Sequence, residues 1–222
     1  MPHSRPDGRG TLRDVSLLCL WCLLPAWSSA GAYKNLAVKV GPVEGYASRQ
    51  NQGPVTIAAD PYPSETRIRT AFDIKGLSKL GLVPINLIIS NQGPDALSID
   101  GASITLLDPE YGSLQALAPR QVVDMLLRHD RSRRGTLGGV PLPRPGIGRG
   151  RSRVEKQLLE IQDDFIRKSL KRRVRPRATA WGFVFFQLPE SRSHLTGYKI
   201  IVPDVENNRT QQKLLYFDIE LK

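Results

Sequence analysis

The sequence predicts a mainly β protein in which a pair of helices interrupts a β-sandwich. Short apolar runs separated by turn residues occur between residues 36 and 107 and again between 178 and 221, which is typical of an all-β domain. Between residues 119 and 175 the apolar positions follow a helical spacing instead. At 222 residues and 40% hydrophobic composition, the chain is long enough to bury a core.

Residues 1–32 have the pattern of an export signal. Three arginines precede a short apolar stretch, residues 15–27 (VSLLCLWCLLPAW), and the small residues of SSAGA follow it at 28–32. Small residues at these positions permit cleavage before Gly31 or Tyr33. An N-terminal membrane anchor is the alternative, but the apolar stretch is shorter than the roughly 20 residues that span a bilayer. We therefore expect an exported protein, periplasmic or extracellular.

Both cysteines, Cys19 and Cys22, lie inside this segment. The exported chain would therefore contain no disulfide and no cysteine nucleophile, and its folded state would depend on its core alone. We expect a single domain over residues 33–222.

The first half of that domain is predicted to consist of strands. The runs are residues 36–40 (LAVKV), 55–59 (VTIAA), 66–74 (TRIRTAFDI) and 85–90 (INLIIS), followed by shorter ones at 97–99 and 103–107. In residues 66–74 the less polar side chains occupy every second position, which favours a strand. Asn91-Gln92-Gly93-Pro94 closes the fourth run with the composition of a turn.

A helical insertion is predicted over residues 119–175. Residues 119–129 (PRQVVDMLLRH) place their apolar side chains on one helical face. Ser152 and Glu155 match a capping box that would begin a second helix, with an apolar stripe continuing to about Leu170. The basic run 171–175 (KRRVR) suits a helix C-terminus, which Pro176 would end. Between the two helices we expect a disordered basic loop, residues 130–152.

Strand character returns after the insertion. Residues 178–188 (ATAWGFVFFQL) are apolar on both faces and predict a central strand that is covered on each side. Residues 197–202 (GYKIIV) and 213–221 (KLLYFDIEL) predict two more strands, the last with cleanly alternating polarity.

Four of these stretches resemble a known family. VTIAADPYPSE, GLVPINLIISNQGPDALSIDGASITLL, WGFVFFQLPE and KLLYFDIEL resemble an uncharacterised family of predicted exported bacterial proteins. They are also similar to the telokin-like, immunoglobulin-related domains of bacterial envelope proteins. The resemblance covers most of residues 55–221, implies an immunoglobulin-like β-sandwich, and supplies no active site.

The positive charge of the chain is concentrated in one segment. The net charge is +11, and residues 128–177 hold 16 of the 32 basic residues but only 5 of the 21 acidic ones. Seven arginines without any acidic residue lie between 131 and 153, namely Arg131, Arg133, Arg134, Arg144, Arg149, Arg151 and Arg153. They are the candidate residues for contact with a polyanion, and a solvated loop without function is the alternative.

The polyanion is expected to belong to the cell envelope. The segment 131–153 lacks the aromatic residues on which nucleic-acid bases stack, and export would separate the protein from most nucleic acid. Anionic lipids or acidic envelope polymers are therefore the favoured partners, with an envelope protein as the alternative.

Other chemistries find little support in the sequence. Only His129 and His194 would remain in the exported chain, so we expect no metal site and no cofactor. No G-x-S-x-G sequence is present. Asp163 and Asp164 are expected to lie on a solvated helix face, and the aromatic residues at 181, 183 and 185 to pack in the core.

These observations predict an exported, non-enzymatic structural or interaction module of the envelope. The alternative is an envelope hydrolase that uses carboxylates gathered by the fold, which would require two carboxyl groups within about 5–10 Å in one cleft.

Overall fold

The computed structural model describes residues 33–132, 136–137, 140–141, 148–189, 192, 194–210, 213 and 216–222. The predicted export signal, residues 1–32, lies outside this part of the chain. Within it, no helix has the length and apolar character needed to cross a membrane.

The described chain is mainly β, with eleven strands in three antiparallel sheets and a two-stranded ribbon between two helices. The helices are α1 (Glu65–Ile68), α2 (Pro119–Ser132) and α3 (Gly148–Lys168). The strands are β1 (Arg49–Gln52), β2 (Val55–Pro61), β3 (Leu82–Asn91), β4 (Leu97–Ser98), β5 (Thr105–Asp108), β6 (Gly112–Gln115), β7 (Thr136–Leu137), β8 (Val140–Pro141), β9 (Arg173–Val174), β10 (Ala178–Gln187), β11 (Lys199–Val202), β12 (Glu206–Asn207) and β13 (Phe217–Glu220).

A central sheet is covered on both faces. Its order is β1-β2-β3-β10, and all ten residues of β3 are buried. One face packs on the sheet β13-β11-β5-β6 and on the smaller sheet β12-β4-β9, forming a first core. The other face packs on the three helices and forms a second core. The helical pair is therefore part of a layer that covers the second face of the central sheet and shares a core with it.

Alternation along the strands sends side chains into the two cores. In β10, Val184 and Phe186 enter the first core, whereas Phe183 and Phe185 enter the second. Phe72 lies among these rings, with centroids 5.0 Å from Phe183 and 5.9 Å from Phe185. The prediction that the aromatic residues of this strand pack in the core is confirmed.

The predicted strand over residues 178–188 is confirmed, with both faces covered, but its place in the sheet differs from the expectation. β10 is the last strand in hydrogen-bond order, and β2 and β3 are the interior strands. The free edge of β10 receives two backbone hydrogen bonds, from Leu170 N–H to Phe183 O (3.0 Å) and from Leu117 N–H to Phe185 O (2.7 Å). These segments close the edge in place of another strand.

The strand predicted over residues 66–74 was wrong. The chain forms α1 there and then a turn, because the Ser64 hydroxyl accepts a hydrogen bond from Arg67 N–H (3.3 Å) and caps the helix. Ile68 and Phe72 are four residues apart and both enter the second core. Apolar residues at 68 and 72 satisfy both a period of two and a helical period, so the pattern did not discriminate between them.

The strand predicted over residues 36–40 was also wrong. This segment has no strand pairing, although Val38 and Val40 pack against the buried clusters. The first strand of the central sheet is β1, whose sequence RQNQ is polar throughout. β1 lies at the edge of the sheet, where part of each side chain remains in water. Burial therefore imposes no apolar pattern on its sequence.

The remaining strand predictions hold with different bounds, since β2 and β3 are longer than predicted and the others are shorter or shifted. Residues 55–59, 85–90 and 197–202 lie in or overlap β2, β3 and β11, and residues 97–99 and 103–107 overlap β4 and β5. The last run forms β13 only over Phe217–Glu220, with Phe217 and Ile219 buried as predicted.

The helical boundaries differ from the sequence prediction. α3 begins at Gly148, so Ser152 lies inside the helix and the capping box predicted at Ser152 and Glu155 was wrong. Arginine is a good helix former, which allows the helix to extend through the basic residues at 149, 151 and 153. The helix ends at Lys168, before the basic run, and Arg173–Val174 forms β9.

We predict that Gly182→Ala destabilises the protein by about 2 kcal/mol, within the range for overpacked sites. A Cβ atom at Gly182 would overlap the backbone of Leu170 and lie 2.7 Å from Ser169 C. Chemical denaturation measures the loss. Gly101→Ala is the control, because its Cβ would meet only Leu170 Cδ2, at 4.0 Å. Equal unfolding midpoints for the two variants would contradict the tight contact.

Candidate anion-binding edge

The seven arginines predicted to contact a polyanion are divided between helix ends and the part of the chain that is not described. Arg131 lies in α2, and Arg149, Arg151 and Arg153 lie in α3. Arg133, Arg134 and Arg144 lie outside the described residues.

A second basic cluster follows α3, and we call it the basic edge. It comprises five exposed cations on and around β9, which is the last strand of its sheet. None of them forms an ion pair with another described residue. They are Lys171, Arg172, Arg173, Arg175 and Arg177.

The backbone of the basic edge is held by hydrogen bonds to distant parts of the chain. Arg172 O accepts from Ile99 N–H at 2.7 Å, and Arg177 N–H donates to Gly93 O at 3.2 Å. Between these contacts β9 pairs with β4. The side chains project from an ordered backbone, so little backbone entropy would be lost on binding.

Asn91 connects the basic edge to the end of β3. Its Nδ2 donates to Arg175 O at 3.1 Å and to Asp95 O at 2.8 Å, and its Oδ1 accepts from Gly93 N–H at 3.0 Å. Asn91 is 1% exposed. The Asn-x-Gly sequence that ends this strand therefore fixes both the turn and the neighbouring basic run.

Asp95 and Asp204 have other partners, whereas Glu206 lies beside Arg172 and Arg173 in the wall of the cavity described next. Asp95 accepts hydrogen bonds from Asn207 Nδ2 (3.0 Å) and Arg209 (3.2 Å), which lower the pKa of its carboxyl group and keep it ionised. Lys213 pairs with Asp204 at 2.9 Å. The cations of the basic edge are not neutralised by Asp95 or Asp204.

A polar cavity of about 490 Å³ opens beside β9. Two arginines that are consecutive in the sequence and three neutral polar side chains line it, together with one carboxylate. Arg172 Nε lies 3.4 Å from Ser98 Oγ on its wall. The lining residues are Ser98, Arg172, Arg173, Glu206, Asn207 and Asn208. Guanidinium donors and neutral amides in one cavity can bind a phosphate or carboxylate oxygen.

Of the acidic pair of α3, Asp163 is exposed as predicted, whereas Asp164 is not. Asp164 is fully buried, accepting from Lys168 Nζ at 2.7 Å and from Tyr33 OH at 2.5 Å. Lys168 Nζ also donates to Ala71 O at 2.6 Å. The cluster attaches the segment after the predicted signal to α3, and the spacing of residues 164 and 168 was its sequence signal.

Burial dominates the protonation behaviour of this cluster. It lowers the pKa of Lys168, an effect that Asp164 partly offsets. Burial and then the hydrogen bond to Asp164 raise the pKa of the Tyr33 hydroxyl. Every polar atom named here has a protein partner, and neither cavity described in this article is lined by these residues. We interpret the cluster as structural.

No candidate metal site is found in the described residues, where no group of three or more His, Cys, Asp or Glu side chains could hold an ion. His129 lies in α2 and His194 follows β10.

Comparisons with known proteins give little further information. No family model and no curated protein matches the sequence. Among solved structures, the yjhA protein from Bacillus subtilis is similar, with 10% sequence identity, a TM-score of 0.42, and coverage of 80% of this chain and 98% of that chain.

We predict that Asn91→Ala lowers the free energy of unfolding by about 1–3 kcal/mol, because it leaves the buried Gly93 N–H and the carbonyl groups of two part-buried hydrogen bonds without their partner. Urea denaturation measures the change. Asn51→Ala is the control, since Asn51 is exposed and donates one hydrogen bond, to Thr56 Oγ1. A change no larger than that of the control would show that Asn91 does not hold the turn.

Proposed function

We propose that this protein is an exported, non-enzymatic interaction module that binds anionic surfaces of the cell envelope. In this proposal an immunoglobulin-like β-sandwich presents two basic regions, the basic edge and the arginine-rich segment 131–153. The observation that carries the proposal is the basic edge, in which five exposed cations without an ion pair to a described residue lie on an ordered backbone.

The expected binding energy is electrostatic. Near an anionic membrane each Lys or Arg contributes on the order of 1 kcal/mol, and the attraction decays within a Debye length of about 8 Å at physiological salt. Five cations on one edge therefore supply several kcal/mol before ordering costs. The order of the backbone reduces those costs relative to a free loop.

The arginines at the start of α3 and the basic edge lie at opposite ends of that helix. The helix has 21 residues, which corresponds to about 30 Å. This distance exceeds the Debye length several times, so the two regions contribute independently to binding.

The hydrolase alternative needs two carboxylates in one cleft. The polar cavity contains the single carboxylate Glu206. A second cavity, at the edge of β10, contains the single carboxylate Asp100. Neither cavity favours the alternative.

We predict binding to vesicles that contain phosphatidylglycerol and no binding to vesicles of phosphatidylcholine alone. Binding should weaken steeply as salt rises, because screening acts on every charge pair. An edge variant in which all five cations of the basic edge are replaced by Gln should lose at least about tenfold in affinity, which corresponds to about 1.4 kcal/mol. Vesicle sedimentation measures both effects.

The matched control removes five other exposed cations that form no ion pair with a described residue, and so changes the net charge equally. These are Lys34, Lys39, Arg69, Lys75 and Lys79. Relative to the wild-type chain, the loss in log affinity of this variant should be less than half the loss of the edge variant. Equal losses in both variants would show that net charge alone matters. Binding unaffected by salt or by the edge variant would contradict the proposal.

A further inference from the structure

An apolar groove lies next to the basic edge. Its volume is about 380 Å³, within the range of small-molecule sites. It is lined by residues 183–185 of β10, by residues 116–119 before and at the start of α2, and by residues 169–170 after α3. Residues 100–102, Gln121 and Arg172 complete the lining.

The groove exists because two segments approach the edge of β10 at separate points. Leu117 N–H donates to Phe185 O, and Leu170 N–H donates to Phe183 O. Gly182 permits the second approach, since a Cβ there would overlap the backbone of Leu170. The groove is thus set by backbone contacts, which makes it a preformed feature of the fold.

Arg172 connects this groove to the polar cavity, because it lines both. The remaining charge in the groove is Asp100, whose Oδ1 accepts a hydrogen bond from Ala102 N–H at 3.0 Å. Arg172 is exposed. The next residue in the sequence, Arg173, also lines the polar cavity. Arg172 therefore lies between an apolar groove and a polar cavity that Arg173 also lines.

We propose that the groove and Arg172 bind one molecule of a single-chain anionic lipid, with the acyl chain in the groove and the phosphate head on Arg172 and Arg173. The inference rests on the proposed function, since it assigns a lipid class to the same basic edge. The apolar lining accounts for the chain, because burial of hydrocarbon is favourable. The guanidinium pair accounts for the phosphate, because Arg binds it through paired N–H donors.

The test uses dodecyl phosphate below its micellar concentration, titrated into the full chain in a calorimeter. We expect one molecule of dodecyl phosphate to bind per protein molecule. It should bind about tenfold more tightly than dodecyl maltoside, which lacks the negative charge, and than inorganic phosphate, which lacks the alkyl chain. Arg172→Gln should weaken binding of dodecyl phosphate by about tenfold, the usual effect of losing a charged hydrogen bond. Dodecyl maltoside or inorganic phosphate binding as tightly as dodecyl phosphate would overturn the proposal.

Two glycine variants test the position of the chain. Gly101→Leu places a side chain in the groove, where a Cβ meets Leu170 Cδ2 at 4.0 Å and φ is not positive. Gly45→Leu is the control, because Gly45 also lies in a short 3-10 helix and a Cβ there meets nothing within 4 Å. Gly101→Leu should weaken dodecyl phosphate binding at least about tenfold, and Gly45→Leu should leave it unchanged.

The vesicle assay separates the two proposals. Gly101→Leu should still bind phosphatidylglycerol vesicles, because it keeps all cations of the basic edge. Suppose that the wild-type chain binds the vesicles but Gly101→Leu binds dodecyl phosphate as tightly as the wild type. This result would refute the lipid site in the groove and leave the proposed function standing. Failure of the wild-type chain to bind the vesicles would refute the proposed function.

Discussion

Burial of the central sheet on both faces is the constraint on which the rest of the structure depends. β3 is buried along its whole length, so the sheet needs a partner layer on each side. The second sheet supplies one layer and the helices supply the other. The ends of α2 and α3 are thereby brought to the edge of β10, where Leu117 and Leu170 complete its hydrogen bonding.

The position of the basic edge follows from this arrangement. After Leu170 is held against β10, the chain continues along the edge of the sheet β12-β4-β9, where it pairs with β4 and with the turn at Gly93. Exposure of the cations costs nothing in desolvation. The backbone holds these cations close to one another. The electrostatic repulsion among them favours binding of an anionic partner.

Sequence reasoning identified the elements whose patterns are unambiguous. The two-faced apolar run in β10 and the helical stripe in α2 were found because burial determines their composition. β1 was missed because an exposed edge strand needs no apolar residues. α1 was read as a strand because Ile68 and Phe72 fit both periods, and only the Ser64 cap favours the helix.

The basic edge could not be located from the sequence for a different reason. The run KRRVR is equally compatible with a helix end and with an exposed strand. The contacts that decide between them are made to Ile99, Asn91 and Gly93, which are about 75 to 85 positions away in the chain. The arginine-rich segment was conspicuous by composition, but composition does not reveal which cations share an ordered backbone.

The central claim is that the ordered basic edge is where the protein meets an anionic surface. The most direct measurement is arginine-selective chemical labelling with and without phosphatidylglycerol vesicles, followed by mass spectrometry. The account predicts that vesicles protect Arg172, Arg173 and Arg175, while Arg49 and Arg69 label at unchanged rates. Unchanged labelling of the basic edge, with protection confined to residues 131–153 or absent altogether, would contradict it.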